Sequence, residues 1–149
     1  MRCVVQRVSR ANVKVEGKLI SEIDKGYLVL LGVEQNDTEK DAVYIADKIA
    51  KLRVFEDENR KMNLSIKQIE GEVLLVSQFT LLGDARGQNR PNFIKAARPE
   101  IADELYNVTA DRLKEHGIVV KLGQFQAFMD VSLVNDGPVT ILLDSNKLF

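Results

Sequence analysis

Apolar and polar residues alternate from Asn12 to Glu16, with Val13 and Val15 between Asn12, Lys14 and Glu16. That two-residue period marks a half-buried strand, and residues 1–8 and 11–16 read as strands. Gly17 then turns the chain into Leu19–Ile23, a hairpin. Tyr27–Val33 is an unbroken apolar run between Gly26 and the polar Glu34–Asp37. At that length it reads as a buried central strand rather than a helix. From Thr38 the period changes. Ala42, Ile45, Ala46, Ile49 and Leu52 share one helical face, with Thr38 and Asp41 placed as a capping-box variant. Val54–Glu56 predicts a short strand before the polar turn 57–60, and Glu72–Leu82 a second strongly apolar strand. A loop follows over 83–98. Pro99 suits the first turn of a second helix, with Ile101, Leu105, Val108 and Arg112 on one face and Gly117 beyond its end. Strands are expected over Ile118–Leu122, Phe128–Val134 and Val139–Asp144, the last two separated by Asn135-Asp136-Gly137-Pro138.

Many strands with two principal helices, and no regular strand–helix–strand alternation, predict an α+β fold. Its core is expected to be mainly antiparallel sheet, barrel-like and closed or flanked by the helices. The 149 residues read as one domain, 1–149, large enough to bury roughly 70% of its unfolded surface. An apolar fraction of 45% and a charged fraction of 29% are those of a globular chain. No apolar run approaches a membrane span and no signal pattern opens the chain. A cytoplasmic protein without a membrane partner is therefore expected. The one cysteine, Cys3, lies on an apolar strand and reads as a small buried hydrophobe.

Charge and residue supply narrow the chemistry. A net charge of -1 argues against nucleic-acid binding by bulk electrostatics, so any RNA contact must rest on a local patch. One patch is visible, since the 83–98 loop carries Arg86, Arg90, Lys95 and Arg98 against Asp84 alone. The single histidine, His116, falls in the last turn of the second helix, where a cation complements the macrodipole. One His and one Cys far apart leave no Ser–His or Cys–His nucleophile pair and no zinc set. Neither a Walker loop nor a dinucleotide fingerprint is present. Catalysis, if any, must come from backbone groups, hydroxyls or the substrate, with no cofactor and no metal.

Two stretches stand out. Ser77-Gln78-Phe79-Thr80-Leu81 ends an apolar strand in polar residues just before the basic loop. Alone it reads as a strand leaving the core; its other reading is a strand end whose N–H groups and hydroxyls face a pocket. Asn135-Asp136-Gly137-Pro138-Val139-Thr140 reads first as a turn, and the Gly-Pro isomer is open.

In order and at matching spacing, several segments resemble the D-aminoacyl-tRNA deacylase family across essentially the whole chain. They are Met1–Val8, Lys25–Val33, Arg53–Asp57, Lys61-Met62-Asn63, Ser77–Leu81, Asn89-Arg90-Pro91 and Val131–Thr140. The resemblance implies a hydrolase that cleaves the ester of D-aminoacyl-tRNA, and of glycyl-tRNA mischarged on tRNA-Ala, proofreading chirality in translation. It also implies a homodimer with the active site at the subunit interface. Gly137-Pro138 would be a cis pair reaching into the partner's pocket, its carbonyls rejecting L side chains. Ser77, Gln78, Phe79 and Thr80 would line the scissile ester, the N–H groups of Phe79 and Thr80 holding the oxyanion while the 2′-hydroxyl of the tRNA assists. Phe125 and Met129, which without the resemblance read as ordinary core residues, would face the amino acid and terminal adenosine. Arg7, Arg86, Arg90 and Lys95 would meet the tRNA, although without the resemblance Arg7 reads as a solvated strand residue. Family members often have Gly at the positions of Gln126 and Gln88, which bears on loop geometry and substrate range. Two other readings remain: a nucleic-acid-binding module without turnover, and a related animal branch with a trans Gly-Pro and another mischarged substrate.

Overall fold

The computed structural model describes residues 1–149. Its backbone is one curled mixed sheet with two helices on one face. Strand β1 (Arg2–Val15) pairs antiparallel with β2 (Lys18–Ile23) through its second half and with β3 (Gly26–Gly32) through its first. The predicted break between residues 8 and 11 is absent, because β1 runs on while changing partner. Helix α1 (Glu39–Lys51) follows, then a small hairpin of β4 (Phe55–Glu56) and β5 (Met62–Leu64). Strand β6 (Glu72–Ser77) lies parallel to β3. Helix α2 (Pro99–Glu115) leads to β7 (Val119–Leu122), parallel to β6, and β8 (Asp130–Asp144) returns antiparallel along β1. The order is β2-β1-β3-β6-β7 with β8 on the far side of β1.

The two end strands of that path approach each other. Ser21 Oγ donates to the Leu122 carbonyl at 2.6 Å and Lys121 Nζ to the Glu22 carbonyl at 2.8 Å. The sheet is thus nearly closed into a barrel, which is why both faces of β3 and β6 are apolar. Tyr27, Val29, Leu31, Val73 and Leu75 pack toward the helices; Leu28, Leu74 and Val76 pack inside the curl with Val8, Val13 and Ile23. Cys3 is buried in the helix-side core, and burial pushes its thiol up to about 12.

Helix α1 begins as its sequence predicts: the Asp41 carboxylate accepts from the Thr38 N–H at 2.8 Å. Helix α2 turns a different face inward from the one expected. Leu105, Tyr106, Thr109, Ala110 and Leu113 are buried while Ile101 is 41% exposed. Small Thr109 and Ala110 let α2 lie close on α1, and the Thr109 hydroxyl is satisfied within the helix by the Leu105 carbonyl at 2.8 Å. Arg112 instead reaches α1, donating to both oxygens of Asp47 at 2.7 and 3.2 Å. His116 Nε2 lies 2.6 Å from the same carboxylate, and the Arg112 hydrogen bonds, then that of His116, hold the Asp47 carboxyl down to about 2.

Candidate active site

Strand β6 ends at Ser77, five residues earlier than the sequence predicts, and Phe79–Leu82 forms a 3-10 turn. The turn returns Leu82 to the core at 3% exposure and presses so close to β3 that a Cβ on Gly32 would lie 2.6 Å from Leu82 Cδ2. Phe79 and Thr80 therefore open a helical turn, and the first N–H groups of such a turn have no acceptor inside it. The Gln78 side-chain amide donates to Thr80 Oγ1 at 3.0 Å. With its oxygen occupied as an acceptor, the Thr80 hydroxyl keeps its proton free to donate.

These residues form one wall of a cavity of about 710 Å³. The opposite wall is the segment between β7 and β8, with Phe125, Gln126 and Met129. Main-chain pairing of Gly123 N–H with the Leu75 carbonyl at 3.0 Å ties that segment to β6. The Phe125 ring packs on Tyr106 at 6.1 Å, and Tyr106 Oη donates to the same Leu75 carbonyl at 2.7 Å. Phe93 meets Phe79 edge-on at 5.1 Å, a pair worth about 0.5–1.5 kcal/mol beyond its buried area. Arg98 is the one charged residue on the lining. Ser77, Gln78, Phe79, Thr80, Phe125 and Met129, all singled out from sequence, are thus brought to a single pocket. Its polar strip can bind a carbonyl oxygen through N–H groups and orient a hydroxyl or water through Thr80.

A model of the family described as D-Tyr-tRNA(Tyr) deacylase matches residues 4–144. The chain belongs to that family. A D-aminoacyl-tRNA deacylase of Caldicellulosiruptor saccharolyticus is 59% identical over 149 residues, covering all of both chains. One of Koribacter versatilis is 60% identical over the same length. Among solved structures, one described as c-Myc DNA Unwinding Element Binding Protein superposes with a TM-score of 0.91 at 43% identity, over 97% of this chain and 98% of that one. A structure described as a probable eukaryotic D-amino acid tRNA deacylase shares the fold at a TM-score of 0.81 and 15% identity, over 95% of this chain and 97% of that one. As a member of the deacylase family the chain is a hydrolase.

The second segment singled out from sequence takes an unexpected form. Asn135–Pro138 does not separate two strands; it is a bulge within the continuous β8, where residues 136–139 stand opposite Arg7 alone. Asn135 Nδ2 donates to the Arg7 carbonyl at 3.0 Å and the Val139 carbonyl at 2.9 Å, closing the bulge from within. The Gly137-Pro138 peptide is cis, and Gly137 has φ +135°. A Cβ there would lie 2.8 Å from Val139 Cγ2 and 2.9 Å from Arg7 Nη2, so glycine is required on both counts. Gly137 and Pro138 are exposed and do not line the pocket of their own chain.

Arg7 is not the solvated strand residue that its bare position predicts. It is 5% exposed, and its guanidinium donates to the Asp136 carbonyl at 2.9 Å and the Val54 carbonyl at 2.6 Å. Its position holds the Gly137-Pro138 segment from beneath. Arg86 is engaged with Asp84 at 2.6 Å, which keeps that carboxyl well below its usual range. Arg90 and Lys95 are exposed on the same loop and outside the pocket lining. Gln126 has φ +61°, the left-handed conformation that glycine takes at no cost. Sequence reasoning missed Arg98 and Phe128 as pocket residues; the signal available for them was proximity to Pro99 and Met129.

Proposed function

We propose that the chain hydrolyses the ester joining a D-amino acid to the 3′ end of tRNA, releasing the free D-amino acid and the tRNA. The observation that carries this reading is the meeting of the Ser77–Thr80 strip with Phe125 and Met129 around one pocket. The carbonyl of the ester lies against the N–H groups of Phe79 and Thr80. Those donors stabilise the oxyanion as the carbonyl carbon becomes tetrahedral, an effect whose loss costs about 10²–10³ in rate. Thr80, held by Gln78, orients the attacking water. The 2′-hydroxyl of the terminal ribose assists, so no histidine is needed.

Stereochemical choice comes from Gly137-Pro138. A rigid main-chain wall collides with an L side chain and leaves room for a D side chain. It has nothing to reject in glycine, so glycyl-tRNA mischarged on tRNA-Ala is also cleaved. Because Gly137 and Pro138 lie outside their own chain's pocket, the wall is supplied by a second copy, and the working unit is a homodimer with its sites at the interface. Arg90 and Lys95 meet tRNA phosphates, with Arg86 after release from Asp84. Arg7 acts through the wall that it holds. Its substrate places the enzyme in the cytoplasm. Hydrolysis of D-tyrosyl-tRNA with L-tyrosyl-tRNA spared is the expected result, and equal cleavage of the two esters would overturn the chirality argument.

A second reading, binding of nucleic acid without turnover, draws on the likeness to the DNA unwinding element binding protein. It predicts salt-sensitive retention of DNA and an intact D-ester after incubation with the protein.

A further inference from the structure

Phe128 is 99% exposed, although it lies on the lining of the catalytic pocket. The segment before β8 alternates: Phe125, Ala127 and Met129 turn toward the protein, and Gln124, Gln126 and Phe128 turn outward. The left-handed backbone at Gln126 and the turn bond from Ala127 N–H to the Gln124 carbonyl at 3.2 Å set that alternation. The ring of Phe128 therefore stands at the rim and fills none of the cavity. It makes no contribution to the core of its own chain, so its apolar face is open either to a ligand of the same pocket or to the second copy that supplies the wall. The single charge on the lining, Arg98, is exposed at the start of α2. Phe79, 57% exposed, presents a second ring on the wall. Exposed aromatic faces that share a pocket lining with a single cation suit single-stranded nucleotides: bases stack on the rings and the anionic linkage pairs with the cation.

We propose that Phe128 and Arg98 bind the nucleotide preceding the terminal adenosine of the substrate, Phe128 stacking on its base and Arg98 pairing with the phosphate that joins the two nucleotides. This rests on the deacylase reading above and adds to it a second nucleotide subsite. The amino acid and terminal adenosine occupy the cavity; the next residue of the single-stranded end has to leave it over the rim. Stacking tolerates any base and selects for an unpaired one, so the rim would favour an unpaired 3′ end over a paired one. Phe128 and Arg98 are binding residues here and touch no reacting atom.

The test compares two substrates that carry the same ester. One is D-tyrosyl-tRNA; the other is 3′-(D-tyrosyl)adenosine, which lacks the preceding nucleotide and its phosphate. For Phe128→Ala, the ratio of kcat/KM on the tRNA to that on the adenosine ester should fall about tenfold or more, through KM. Phe128→Trp should restore the ratio, which a merely structural role would not do. Arg98→Ala should lower the same ratio and reduce the salt slope of log KM on the tRNA by about 0.7, the share of one single-strand phosphate. An unchanged ratio in Phe128→Ala would overturn the subsite. So would dissociation of an oligomer by that variant in light scattering without a change in the ratio, since the ring would then belong to a contact between copies. Wild-type protein inert on both esters would remove the activity reading, and this inference with it; active wild type with an unchanged ratio removes only the subsite.

Discussion

Replacing Arg7 with methionine removes two charge-assisted hydrogen bonds while keeping most of the apolar stem. The Val54 carbonyl is the more costly loss, because its bond with Arg7 is buried and no water replaces the guanidinium. The Asp136 carbonyl is partly open to solvent and is re-solvated in part. Hydrogen bonds to charged groups contribute about 1.5–3 kcal/mol each. Counting the first in full and the second at a fraction gives a loss of about 2–4 kcal/mol. In a domain of this size that lowers Tm by about 5–15 °C. Arg7→Lys should fall between, since a point charge on a flexible stem cannot reach both carbonyls as the planar fork does. Urea unfolding followed by circular dichroism gives the stability term. Deacylation of D- and L-tyrosyl-tRNA by the folded fraction gives the functional term, in which L-ester cleavage should rise relative to D-ester cleavage as the bulge loosens. A stability within about 0.5 kcal/mol of wild type would mean that Arg7 does not hold the Val54 and Asp136 carbonyls, because no buried carbonyl of this kind loses a cationic partner so cheaply.

Other substitutions read separate parts of the site. Phe79→Pro deletes one of the two N–H groups proposed to hold the oxyanion, at a place where the preceding Gln78 is extended (φ -144°, ψ 92°) and so accepts a following proline. Relative to Phe79→Ala, which removes the same ring, its kcat should fall about 10²–10³-fold in single-turnover deacylation. Gly137→Ala must move both the Val139 and the Arg7 side chains and adopt a φ that alanine disfavours. It should lower stability by about 1–3 kcal/mol and raise L-ester cleavage, both measurable on the same preparation. The pH dependence has two limbs. Burial raises Cys3 to about 12 and also raises the phenols of Tyr27 and Tyr106. The folded protein thus keeps protons that the unfolded chain releases, and urea midpoints should fall as pH rises above about 9. Asp47 is lowered to about 2 by Arg112 and then His116. Its contribution is complete above about pH 4 and lost as pH falls toward 2, and Asp47→Asn should flatten that acid limb.

Strand and helix identity were legible where a period held, as on the apolar face of α1, or where an unbroken apolar run had the length of a strand, as in β3. The boundaries that failed are those set by tertiary contacts. Glu72–Leu82 looks like one strand because every residue suits a strand, but burying Leu82 against Gly32 bends the chain after Ser77. That bend is what opens the N–H groups of Phe79 and Thr80, so the site depends on the part of the segment that local pattern misread. Asn135–Pro138 carries every mark of a turn, and it is a bulge because Asn135 and Arg7 satisfy its polar groups from within β8 and across from β1. Arg7 itself is polar on a strand, which local pattern assigns to solvent; only the partner carbonyls of Val54 and Asp136, 47 and 129 residues away, explain its burial. Ser77–Leu81 stood out as a polar end to an apolar strand, whereas Phe125 and Met129 were legible as pocket residues only through the family resemblance.

The proposed activity is stereospecific hydrolysis of an aminoacyl ester in which no histidine takes part. Its most direct test is deacylation of D-tyrosyl-tRNA and L-tyrosyl-tRNA side by side, with chelator present. Rapid loss of the D-ester alone is the predicted result. Loss of both esters at one rate, or of neither, would contradict it.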